Sequence, residues 1–125
     1  MEFEATTQKK TNAGEIILKA VLNVCRTYNI GFVELGDVLL IDVKDVARYV
    51  NKLTIDNKTV LMRAVLFLKL IRRLEEVSNR DLEKSAAWLL SHNSSFNNSR
   101  PIDRIKAVSG MGEVMEYLDR ITGRF

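Results

Sequence analysis

The chain has 125 residues, 46% of them hydrophobic, with 19 basic and 16 acidic side chains and a formal net charge of +3. That balance fits one soluble domain, or one compact unit of two sub-modules, and no apolar run is long enough for a bilayer-spanning helix. The single cysteine, Cys25, rules out an intramolecular disulfide, and the polar start MEFEATTQKKTN lacks a signal-peptide core, so a cytoplasmic protein is expected.

Residues 1–12 read as a flexible arm. A first helix is expected from Asn12, with Glu15 three residues on as a capping box. Ile17, Val21, Val24 and Cys25 recur at helical spacing through Tyr28, and Asn29 and Gly31 end the pattern. A short helix, FVELGDVL, follows from Phe32 to Leu39. A third, DVKDVARYVNKL, runs from about Asp42 to Leu53 with Val43, Val46, Ala47 and Val50 on its inner face.

Asp56 is expected to cap the longest element, NKTVLMRAVLFLKLIRRLEEV. Its stripe is Leu61, Ala64, Val65, Leu68, Ile71 and Leu74, and Val60, Met62, Leu66, Phe67 and Leu70 widen it beyond one face. Such a helix lies at the centre of a fold or under a partner. Ser78 and Asp81 suggest a second capping box before a helix carrying Leu82, Ala86 and Leu89, with Trp88 beside them. The polar loop SHNSSFNNSR then leads to Pro101, which suits the first turn of a helix PIDRIKAV. Gly110 is read as stopping that helix, and GEVMEYLDRIT as the last one. The expectation is an all-α, compact bundle of about six helices. A helix-turn-helix-like half (13–77, including the long central helix) joins a small C-terminal helical module (78–125).

Enzymatic signatures are missing. His92 is the lone histidine, and a single His beside a loop is more often a surface side chain than a metal ligand. There is no nucleophile elbow, P-loop or dinucleotide fingerprint. Ser109–Gly112 (SGMG) reads as a tight interhelical turn rather than an anion cradle. Glu75 and Glu76 are sequence neighbours and diverge on a helix, so they do not form an acid/base pair. No catalytic residue, metal, cofactor, small-molecule substrate or membrane partner is expected.

FVELGDVLLIDVKDVARYV has the outline of a helix-turn-helix. Small Gly36 sits where the two helices would cross, and Ile41, Val46 and Tyr49 face inward. The turn position that many such motifs give to glycine holds Leu40. Residues 13–55 carry five basic groups against five acidic ones, 5 − 5 = 0. Asp42 and Asp45 open the would-be recognition helix, and Lys44, Arg48 and Lys52 partly offset them as candidate DNA contacts.

The C-terminal order is more specific: Trp88-Leu89, Asn93, Phe96, Pro101-Ile102, Gly110, Val114, Leu118. The arrangement W-L-x-x-x-N-x-x-[FL]-x-x-x-x-P-[IL], followed by G-x-x-x-V-x-x-x-L, resembles the toxin-binding domain of the Xre/MbcA/ParS antitoxin family. A helix-turn-helix and a long helix ending in R-L-E-E before it also look like that family. The resemblance implies a protein partner, a toxin of the RES class that consumes NAD⁺ or ADP-ribosylates a target. It also implies operator DNA as a second partner for autorepression; the departures at Leu40, Asp42 and Asp45 bear on that half. A purely DNA-binding regulator is the alternative reading.

Within the C-terminal module, Trp88 is expected in the core, Asn93 to hold a turn, and Phe96 to pin the loop near Trp88. Pro101 and Gly110 complete the structural motif. Ser94, Ser95, Asn97, Asn98 and Arg100 are the expected toxin contacts, as loop polar groups without packing duty, together with Arg120, Arg124 and Phe125. The broad apolar surface of residues 60–74 suggests a homodimer.

Overall fold

A computed structural model describes residues 12–121; of the expected N-terminal arm it includes Asn12 alone. Seven α-helices follow in order: α1 (Ala13–Tyr28), α2 (Phe32–Leu39), α3 (Val43–Lys52), α4 (Lys58–Val77), α5 (Leu82–Leu90), α6 (Pro101–Arg104) and α7 (Gly110–Ile121), with a 3₁₀ turn at Ser94–Phe96. No strand occurs among the described residues, and no helix there is long and apolar enough to cross a membrane. The fold is the all-α bundle expected.

Local chemistry sets the boundaries. Asn12 caps α1, its side chain accepting the Glu15 N–H at 2.7 Å. Helices α1, α2, α3 and α4 end alike, each with a left-handed residue (Asn29, Leu40, Leu53, Asn79) just past the last turn. The next N–H then reaches back five residues: Ile30 to Cys25, Ile41 to Gly36, Thr54 to Tyr49 and Arg80 to Glu75. This closure satisfies carbonyls the helix leaves orphaned. Leu40, at φ 62°, thus occupies the positive-φ position where glycine is usual.

Four boundary expectations change. Asn57, not Asp56, caps α4 by accepting the Val60 N–H at 3.0 Å, while Asp56 pairs with Lys52. Asp81 alone caps α5, accepting from Lys84 N–H at 3.2 Å, and Ser78 closes α4. The Pro101 helix is only one turn long. Gly110 begins α7 instead of ending its predecessor, because the chain turns back there so tightly that a Cβ would overlap the Arg104 carbonyl.

The core is one buried cluster running through both halves, from Leu18 and Val21 in α1 to Val114 and Leu118 in α7. Helix α4 is its axis, with α1 and α7 packed along it. Its buried line is Val60, Ala64, Phe67, Leu70, Ile71 and Leu74; the expected Leu61, Val65 and Leu68 are half-buried flanks, and Met62 and Leu66 are exposed. Two helices packing on different sides of α4 centre the stripe between the two apolar rows. Phe67 is fully buried, and removing such a ring destabilises by about 3–5 kcal/mol. On α3 the inner face is Val46 and Tyr49 with Val50 at its edge, while Val43 and Ala47 are exposed. Gly36 does mark a close approach: a Cβ there would lie 2.8 Å from the Ile41 carbonyl oxygen.

Candidate protein-binding surface of the C-terminal module

The loop after α5 is organised by Asn93. Its side-chain oxygen accepts the Ser95 N–H at 2.9 Å, and its carbonyl accepts from Phe96 (3.0 Å) and Asn98 (2.9 Å). Its own N–H donates to Ser99 O at 3.0 Å. Asn97 and Asn98 both take left-handed backbone, which Asn tolerates better than most residues. These bonds close the loop on itself and leave the side chains of Ser94, Ser95, Asn97 and Asn98 exposed. Phe96 turns inward, 3% exposed, and meets Trp88 and Tyr117 edge-on at 6.0 and 5.2 Å. Asn93 and Phe96 therefore have the roles the sequence suggested.

Trp88 does not. It is only partly buried, stacked on Tyr117 at 6.0 Å between ring centres. It lines an open groove of about 670 Å³, bounded by the end of α4, the start of α5 and the end of α7. Val77 and Ile121 contribute apolar surface above buried Leu74, and exposed Lys84 also lines it. Arg120 is exposed, its guanidinium 5.9 Å from the Tyr117 ring centre and 3.8 Å from Glu116. Arg124 and Phe125 lie outside the described residues.

Arg100 has a packing duty that the sequence reading denied it. Its guanidinium grips Asp103 at 2.8 and 2.9 Å and approaches Glu34 of α2 at 3.6 Å. Lys106 joins the same cluster, 2.9 Å from Glu34 and 3.1 Å from Asp103. The Arg100 guanidinium, helped by Lys106, holds the Asp103 carboxyl down at about 2. Pro101 is buried at the first position of α6.

Sequence reasoning missed Arg63. From α4 its Nε donates to Val38 O at 2.7 Å; its Nη2 donates to Ile105 O (2.7 Å) and Ala107 O (2.9 Å), and its Nη1 to Val108 O (3.1 Å). One guanidinium thus ties α2 to the turn between α6 and α7. Burial without a facing carboxylate lowers its pKa. The available signal was a cation between Val60 and Phe67, at the edge of the buried line. Tyr28 was also missed: its hydroxyl donates to Glu75 at 2.8 Å, and burial, then that carboxylate, push its pKa up.

On the helix-turn-helix-like side, Lys44, Arg48 and Lys52 are all exposed on α3. Arg48 is paired with Asp45 at 2.6 Å and lies over the Tyr49 ring at 4.8 Å, and Lys52 is paired with Asp56. The Asp42 side chain accepts from Lys44 N–H at 3.3 Å, so the acids opening α3 have local structural work.

No curated protein matches the chain. Residues 73–124 match the family model for the antitoxin Xre/MbcA/ParS C-terminal toxin-binding domain, a span that covers α5 to α7, the Asn93 loop and the aromatic groove. By that match, the C-terminal module is similar to the toxin-binding domain of the Xre/MbcA/ParS antitoxins.

Proposed function

We propose that the chain is the antitoxin of a toxin–antitoxin pair, a non-enzymatic cytoplasmic protein that masks the active site of a RES-type, NAD⁺-consuming or ADP-ribosylating toxin. The observation that carries this reading is the match of residues 73–124 to a toxin-binding domain. The preorganised loop supports it: a polar surface held by its own backbone bonds binds with little loss of conformational entropy. Ser94, Ser95, Asn97 and Asn98 are its exposed donors and acceptors. Arg120 lies over the Tyr117 ring that lines the groove, and Arg100, Arg124 and Phe125 complete the proposed contact set. A cation or hydroxyl group placed where the toxin holds the NAD⁺ pyrophosphate would inhibit by occupancy alone.

The test is co-expression with the proposed RES-domain toxin partner. A stable complex and restored growth are expected. Toxicity that persists with both proteins soluble would reject the reading.

A second function, autorepression through operator DNA, is favoured by the α2–α3 pair and by exposed Lys44, whose ammonium has no partner among the described residues. Arg48 and Lys52 reach DNA only by exchanging their carboxylates for phosphates, so a homodimer, with its doubled contact, is part of this proposal; exposed Met62 and Leu66 are apolar surface available to it. A salt titration of promoter binding measures it: weak, steeply salt-dependent binding is expected, and none at low salt would leave the toxin-binding function alone.

A further inference from the structure

The groove walled by Trp88 and Tyr117 is not explained by folding. Its rings stack with one flank open, where full burial would contribute more to stability. Val77 and Ile121 leave apolar surface beside them only half-covered.

The charge around it is lopsided. Glu76 is engaged by Arg73 at 3.3 Å, and Arg73 also holds Asp119. The Asp81 side chain caps the Lys84 amide. The Lys84 ammonium and the Arg80 guanidinium have no ion-pair partner among the described residues, and the only ion pair of Arg120 there is the loose contact with Glu116. At the turn bordering the groove, Arg80 follows the helix-closing Asn79 and itself takes left-handed backbone, at φ 62°. For arginine that conformation is unfavourable, and such residues concentrate at binding sites.

We propose that this groove seats a segment of the toxin carrying an aromatic or aliphatic side chain beside a carboxylate. The inference rests on the toxin-binding reading above and specifies the surface and its chemistry. The apolar side chain packs on Val77, Ile121 and Trp88, and the carboxylate meets Lys84 and Arg120. Aromatic and arginine side chains at a desolvated centre are where interface energy concentrates. A partly exposed cation at the rim chiefly sets the association rate and specificity.

Trp88 is the only tryptophan of the chain, so fluorotryptophan labelling gives one fluorine resonance that reports the groove. The labelled chain is titrated with the unlabelled, proposed RES-domain toxin partner. Affinities are measured in parallel for Val77→Glu and Lys84→Glu, with melting curves to verify folding. The resonance is expected to move on saturation, and Lys84→Glu, an exposed site, is expected to bind about tenfold more weakly. Tight binding with an unmoved resonance and unchanged affinity for Lys84→Glu overturns the groove and leaves the antitoxin reading standing. No binding by the parent chain overturns both. A resonance that moves with chain concentration alone identifies a second copy as the occupant. If deleting residues 122–125 moves it in the free chain and toxin adds no further shift, the occupant is the chain's own end. Either result also overturns the proposal.

Discussion

Replacing Arg63 by alanine removes four hydrogen bonds at once. Two of the acceptors, Ala107 O and Val108 O, lie in exposed surroundings, where water replaces the lost donor at little net loss. The other two, Val38 O and Ile105 O, are partly buried and bonded at 2.7 Å. A bond from a charged donor in such a place contributes about 1.5 kcal/mol or more, giving roughly 3 kcal/mol for the pair. Releasing the guanidinium from a site that disfavours its charge returns part of that. The expected net loss is about 2–3 kcal/mol, or roughly 10 °C in melting temperature for a chain of this size. Arg63→Lys should recover about half, since one ammonium cannot span Val38 and the 105–108 carbonyls together. Calorimetry measures the loss. Amide exchange at Ala107 and Gly110, whose N–H groups close that turn, should quicken in Arg63→Ala ahead of global unfolding. A melting point within about 2 °C of the parent with unchanged exchange would refute the idea that this side chain clamps the two halves.

Gly110→Ala should destabilise by about 3 kcal/mol in denaturant unfolding, because the new methyl meets backbone at Arg104 that cannot swing away; a change under about 1 kcal/mol would show that the turn is loose. Leu40→Gly should stabilise by about 0.5–1 kcal/mol, since relief of the left-handed leucine exceeds the added flexibility of the unfolded chain and the side chain is 44% exposed; destabilisation would mean that Leu40 packs more than it strains. The Cys25 thiol, pushed up to about 11 by burial and then by the Glu34 charge, should react with a disulfide reagent at pH 8 far more slowly in the native chain than in urea; equal rates would contradict the burial. The Asp103 carboxyl, lowered to about 2, contributes stability that is present above its unfolded value near 3.9 and lost as pH falls from about 4 toward 2. The stability difference between the parent and Asp103→Asn should therefore shrink across that window, and a difference constant from pH 6 to 2 would rule out the ion-pair origin.

The helices were legible because their signals are local. Asn12, Asp81 and Pro101 carry cap and first-turn chemistry, and Phe32 to Leu39 was bounded correctly by periodicity and the glycine before it. Errors arose where two local signals competed: Asp56 and Asn57 are both good caps, and only the Lys52 ammonium across the turn decides between them. Gly110 was misjudged because glycine at a helix end and glycine at a close backbone contact look the same in sequence. In the candidate site, the Asn93 turn and the Phe96 anchor followed from residue type. The partial exposure of Trp88 did not, because it depends on how α5 and α7 meet. Arg63 and the cluster of Arg100, Lys106 and Glu34 were illegible for the same reason: their partners lie 25 to 72 positions apart in the chain.

The central claim is that residues 73–124 serve to silence a toxin. The most direct measurement is NAD⁺ consumption by the proposed RES-domain toxin partner at fixed concentration, with increasing amounts of this chain. The account predicts that turnover falls to background as the chain reaches the toxin concentration, without NAD⁺ being altered by the chain itself. Undiminished NAD⁺ loss at a large excess of folded chain would contradict it.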